Sequence, residues 1–111
     1  MAYVDVKTRK RNLIAWLKRE HSPRYVVSVR TLAMKEEIHG DTTFNGQRFL
    51  IRLARRQSFA LWADTLLHEW AHVLTFHGTD GDVHGPEWGL AYARLYRAYE
   101  RWDASKRVTL G

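Results

Sequence analysis

The chain contains no cysteine, which excludes a disulfide framework, a cysteine-ligated zinc ribbon and a thiol nucleophile. Proline is almost as scarce, and its two residues, Pro23 and Pro86, fall at element boundaries rather than in a linker. No repeat or low-complexity stretch is present, and no run approaches the ~18 apolar residues of a membrane span. Met1 to Asp5 lack the basic start and apolar core of a secretion signal. A soluble, cytoplasmic protein without a membrane partner is therefore expected. At 111 residues the chain suffices for one domain and not for two, so residues 1–111 are read as a single unit.

Aromatic bulk and positive charge are both present. Five Trp, five Tyr and four Phe within a 45% hydrophobic composition supply a core for a domain of this size. The charge is uneven: residues 1–60 hold 13 Lys and Arg against 5 Asp and Glu, whereas residues 61–111 hold 5 against 7. A basic first half favours an acidic partner, of which nucleic acid is the commonest and DNA a candidate, although many surface Lys and Arg only form solvated faces.

Periodicity divides the chain into helix, small sheet, helix, helix. From Val6 to Glu20, Val6, Leu13, Ile14 and Leu17 share a face surrounded by Lys7, Arg9, Lys10, Arg11, Lys18 and Arg19, the pattern of a basic amphipathic helix. Tyr25 to Val29 and Arg48 to Leu53 read as strands, Leu32 to Ile38 as a weaker one, and Asp41 to Gln47 as a turn around Asn45-Gly46. Ser58 is placed to cap a helix running to about His77, with Gly78 as its terminator. Phe59, Ala63, Leu66, Trp70, Val73 and Leu74 fall on its buried side. Pro86 opens a last helix in which Trp88, Ala91, Tyr92, Leu95, Tyr99 and Trp102 recur at core spacing.

The chemistry lies in His68-Glu69-Trp70-Ala71-His72, an H-E-x-x-H pattern inside the second predicted helix. At about 100° per residue, His68 and His72 stand about 40° apart, so both imidazoles reach one metal ion. Glu69, one residue round, is placed to act as general base on a water at that metal. Six His and six Glu scattered over the chain would produce the pattern with a probability of roughly 2%, which makes chance a poor explanation.

A catalytic zinc takes a third protein ligand, and the downstream candidates are His77, Asp80, Asp82, His84 and Glu87. His77, five residues after His72, points about 140° away on a continuous helix. His84 follows a loop that returns the chain and precedes the predicted start of the last helix, which makes it the favoured ligand. Glu87 has an alternative explanation as an acidic residue in a helical first turn. Asp64, Asp80 and Asp82 are candidates to accept a hydrogen bond from a ligand histidine. Tyr92, Tyr96 and His77 are candidates to donate one to an oxyanion, among which the sequence does not choose.

The H-E-x-x-H segment, a short loop and then His84-Gly85-Pro86-Glu87-Trp88 together resemble the SprT-like (Spartan-type) zinc metallopeptidases. The similarity runs from the first helix to Trp102. It implies an α+β, zincin-like minimal domain: an N-terminal helix, a small, mostly antiparallel sheet of about three strands, the H-E-x-x-H helix and a C-terminal helix. It further implies Zn2+ bound by His68, His72 and His84, with Glu69 as catalytic acid and base in the hydrolysis of a protein or peptide. The missing cysteines depart from the zinc ribbon that often follows this domain and imply a compact, stand-alone version of the kind phage genomes encode. DNA-directed protein cleavage then rests on the basic first half alone. The alternative is a zinc-containing module that binds DNA or another partner without proteolysis.

Overall fold

The computed structural model describes residues 5–77 and 84–106. The elements run α1 (Val6–Glu20), β1 (Val26–Leu32), β2 (Gly40–Phe44), β3 (Arg48–Ala54), α2 (Phe59–Leu74) and α3 (Pro86–Ser105). The class is α+β with three helices, as expected. Each helix starts where its sequence provides a start signal. Asp5 accepts a hydrogen bond from the Thr8 amide at 2.8 Å, Ser58 caps α2 through the Leu61 amide at 3.2 Å, and Pro86 occupies the first turn of α3, where its missing N–H costs nothing.

The sheet differs from the expectation of a mostly antiparallel one. Its order is β1-β3-β2; β3 pairs with β1 in parallel from Val26↔Arg48 to Leu32↔Ala54 and with β2 antiparallel from Gly40↔Leu53 to Phe44↔Phe49. The sheet is thus mixed. Of the weak strand expected over Leu32 to Ile38, only Leu32 is in a strand, as the last residue of β1, and the rest is a connection; part of the expected turn is the strand β2. Gly-Asp-Thr-Thr-Phe has little local preference for a strand, so its partners decide. Asp41 forms an ion pair with Arg52 across the ladder, with Arg52 Nε 2.8 Å from Asp41 Oδ1, and the turn proper shrinks to the residues around Gly46. There Gly46 takes φ 96°, and the Asn45 side chain accepts from the Gln47 and Arg48 amides at 2.9 Å each, as a tight hairpin requires.

Helix α2 lies across β2 and β3, and both α1 and α3 pack on it. Trp62, Leu66, Leu67 and Trp70 are fully buried against Leu13 and Leu17 of α1 and Ile51 and Leu53 of β3. The indole N–H groups also find acceptors: Trp62 donates to Thr31 Oγ1 at 3.1 Å and Trp70 to the His21 carbonyl at 2.9 Å. Buried indoles therefore supply apolar area and fix the rotation of α2. Two expected core residues lie near the periphery instead, Val6 at 44% exposure and Leu74 at 37%. No helix among the described residues is long and apolar enough to cross a membrane.

Helix and sheet approach each other closely at Gly40. A Cβ there would sit 2.8 Å from Thr65 Cγ2, 2.9 Å from the Arg52 carbonyl oxygen and 3.0 Å from Leu53 Cδ2. One of these neighbours is backbone and cannot turn aside, so the absence of a side chain lets β2 lie close against α2. Gly40→Ala is expected to cost about 1–3 kcal/mol through overpacking, read as a lowered urea midpoint with an unchanged m-value; a wild-type midpoint would contradict this account.

Candidate metal centre

The second half of α2 carries two kinds of residue on different faces. Leu66, Trp70 and Val73 are buried in the core, while His68 and His72 emerge half-buried one helical turn apart. The extended N-cap Gly85 and Pro86 then start α3 so that His84, just before them, stands over the same face. The ligating atoms of His68, His72 and His84 all lie within 4.8 Å of one another. Two nitrogens each about 2.1 Å from one ion are at most ~4.2 Å apart, so the trio is closed to within a side-chain rotation. The three histidines are close enough to bind a metal ion.

Trp88 backs this cluster. Its ring centroid lies 4.8 Å from those of His68 and His84 and 5.3 Å from that of His72, on which it stacks at 22°. Its indole N–H donates to the His68 carbonyl at 3.2 Å, which ties the first turn of α3 to the H-E-x-x-H turn of α2. Burial, followed by repulsion from His68 and His84, pulls the His72 imidazolium pKa down to about 4. His72 is therefore neutral at pH 7, the state in which it offers a lone pair to a metal.

Glu69 is 7% exposed, and its two oxygens have different surroundings. Oε1 accepts a hydrogen bond from Thr42 Oγ1 of β2 at 2.7 Å, while Oε2 lies 3.8 Å from His68 Nε2. The carboxylate thus turns one oxygen toward the edge strand and the other toward the histidines. All of these groups border an open groove of about 780 Å³ between β2 and the start of α3.

The remaining sequence candidates take other partners. Helix α2 ends at Leu74 with Thr75 as its cap, short of the expected His77, and the Thr75 hydroxyl donates to the Ala71 carbonyl at 2.8 Å. His77 therefore lies outside the helix, its Nε2 2.9 Å from both carboxylate oxygens of Glu87. This pair on the groove rim occupies Glu87, the rival third ligand. Asp64 accepts the Tyr92 hydroxyl rather than a ligand histidine, and burial followed by that bond raises the Tyr92 pKa. Tyr92 is committed to Asp64, and Tyr96 is 41% exposed and edge-on to Tyr92 at 6.3 Å. Gly78, Asp80 and Asp82 lie outside the described residues. Thr42 has no counterpart in the sequence reading, because only the sheet register brings it to Glu69.

Comparison with protein-family models gives no match, and none of the curated proteins matches the chain.

Two measurements check the cluster. Titration with zinc or cobalt(II) is expected to show one bound equivalent, lost or weakened at least about 10-fold in His72→Ala and His84→Ala and retained in Glu87→Ala; retention in His84→Ala with loss in Glu87→Ala would reverse the assignment. In chelator, the depressed His72 pKa makes the unfolded chain the better proton acceptor below about 6.5. Metal-free stability is accordingly expected to be flat above that pH and to fall from about 6.5 toward 4. His72→Gln should reduce this slope, and an unchanged slope would remove His72 as its source.

Proposed function

We propose that the chain is a zinc-dependent metallopeptidase of SprT-like type, acting on protein or peptide substrates, with His68, His72 and His84 as metal ligands and Glu69 as the catalytic residue. The observation that carries this reading is the half-oriented carboxylate: a buried acid beside three clustered imidazoles, one oxygen anchored and the other turned toward them. A purely structural zinc site has no use for such a base and usually fills all four positions with protein ligands.

The donor set suits the metal. Three imidazoles without a thiolate, bordering an open groove, match a zinc site that keeps one position for water. Bound there, zinc supplies Lewis acidity, lowering the pKa of a water and polarising the scissile carbonyl. The chain's own residues supply the proton traffic and the binding. Glu69 Oε2 accepts a proton from the attacking water and returns it to the leaving amine as the C–N bond breaks, so water is consumed and one carboxyl and one amine appear.

The edge strand is suited to hold the substrate. β3 is central in the sheet, and its neighbour β2 is at the edge. The bonds from Asn45 N to Arg48 O and from Ala54 N to His39 O mark the hydrogen-bonded pairs at the two ends of this ladder. Antiparallel alternation then turns the main-chain groups of Asp41 and Thr43 toward β3, and those of Gly40, Thr42 and Phe44 toward the free edge. An extended peptide adding there would pass beside Glu69 with its backbone bonded to β2.

The second reading, a module that binds DNA or another partner without cleaving protein, draws on the basic residues of α1. Lys7, Arg9 and Arg11 are exposed, although the Arg9 guanidinium rests 4.0 Å over Phe59 and the Lys10 ammonium 5.0 Å over Trp62, which gives both a packing role.

With zinc present, the wild-type protein is expected to cleave an unstructured protein, and Glu69→Gln to retain the metal while losing at least about 100-fold in kcat. Full cleavage by Glu69→Gln would remove Glu69 from the reaction. Zinc-loaded wild type inert toward every unstructured substrate, together with DNA affinity that falls with salt and with Lys7→Ala and Arg11→Ala, would favour the second reading.

A further inference from the structure

Glu69 differs from an ordinary helical glutamate in what holds it. A glutamate carboxylate turns about its last torsion with little preference, and at 7% exposure little water is available to orient it. Its described partner is Thr42, whose Oγ1 lies 2.7 Å from Oε1. Thr42 pairs with Ile51 in the sheet, so its place follows from the register rather than from α2. Two residues earlier, a Cβ at Gly40 would sit 2.8 Å from Thr65 Cγ2, so the bare glycine lets β2 lie close enough to α2 for Thr42 and Glu69, 27 residues apart in sequence, to meet.

We propose that Thr42 is a positioning residue for Glu69: its hydroxyl anchors Oε1 and so presents Oε2 to the histidine side of the groove. This rests on the peptidase reading for its consequence in turnover, but not for the bond itself. A single-donor anchor of this kind assigns different tasks to the two oxygens, Oε1 to orientation and Oε2 to the proton. It also places the anchor on the strand that offers its free edge to substrate. A peptide bonded to the Thr42 main chain would therefore stiffen the element that orients the base, linking occupancy of the groove to readiness for proton transfer.

Thr42→Val removes the hydroxyl at nearly constant shape, and Thr42→Ser restores it without the methyl group. In zinc-loaded protein, Thr42→Val is expected to lower kcat about 10-fold or more with KM within about 2-fold and zinc stoichiometry unchanged; Thr42→Ser should recover most of the loss. A wild-type kcat in Thr42→Val, or no recovery in Thr42→Ser, would overturn the proposal. An independent readout uses the full chain in chelator, where the folding equilibrium constant is followed by urea titration for Thr42→Val, Glu69→Met and the double variant. Stranding a buried carboxylate oxygen should lower that constant about 10-fold for Thr42→Val in the presence of Glu69, and by less than about 2-fold in the Glu69→Met background. Equal effects in both backgrounds would mean that the two side chains are not coupled, and the proposal would fall whatever the activity. Coupling in chelator with no cleavage by zinc-loaded wild type would instead remove the peptidase reading and leave Thr42 as the orienting partner of Glu69.

Discussion

The rotation of α2 about its own axis is the constraint on which the rest of the molecule depends. Trp62 and Trp70 are buried completely and donate to Thr31 and to the His21 carbonyl, so the helix cannot turn without stranding an indole N–H or exposing the largest apolar groups in the core. With that rotation held, His68 and His72 have to emerge on the groove side, and Glu69 has to sit between groove and sheet. The aromatic payload of this small domain thus serves orientation as much as burial.

Around that axis the site is assembled from three directions. α2 contributes two imidazoles and the carboxylate, the chain entering α3 contributes His84 and the Trp88 wall, and the edge strand contributes Thr42. Each junction has its own tie: the Trp88 indole bonded to the His68 carbonyl, and the side-chain-free surface of Gly40 against Thr65. Asp64 and Tyr92 add a further link between α2 and α3 beside the same residues. Packing and hydrogen bonds within the chain thus hold the three contributions together, with His68, His72 and His84 close enough to bind a metal ion.

The surroundings of the site also divide the chain's charge by task. The exposed basic residues of α1, Lys7, Arg9, Arg11, Lys18 and Arg19, do not line the groove. The groove is bordered by imidazoles, a buried acid and aromatic rings. Arg52, which the sequence alone would count toward a basic surface, is paired with Asp41 across the sheet, and Arg9 and Lys10 lie over aromatic rings of α2. The net charge of +6 therefore overstates the number of cations available to an acidic partner.

By itself, the sequence determined what repeats at short range. The three helices, the start signals at Ser58 and Pro86, and the juxtaposition of His68, Glu69 and His72 all follow from local patterns within a few residues. His84, expected as the third histidine of the cluster from its place just before Pro86, does lie with His68 and His72. Only the tertiary structure decided the remainder. β2 is a strand because β3 and α2 make it one, since Gly-Asp-Thr-Thr-Phe has no strong preference of its own. The pairing of His77 with Glu87 joins residues ten apart, which helical periodicity does not describe. The contact between Thr42 and Glu69 exists only through the sheet register, and no local pattern encodes the meeting of an edge strand with a helix.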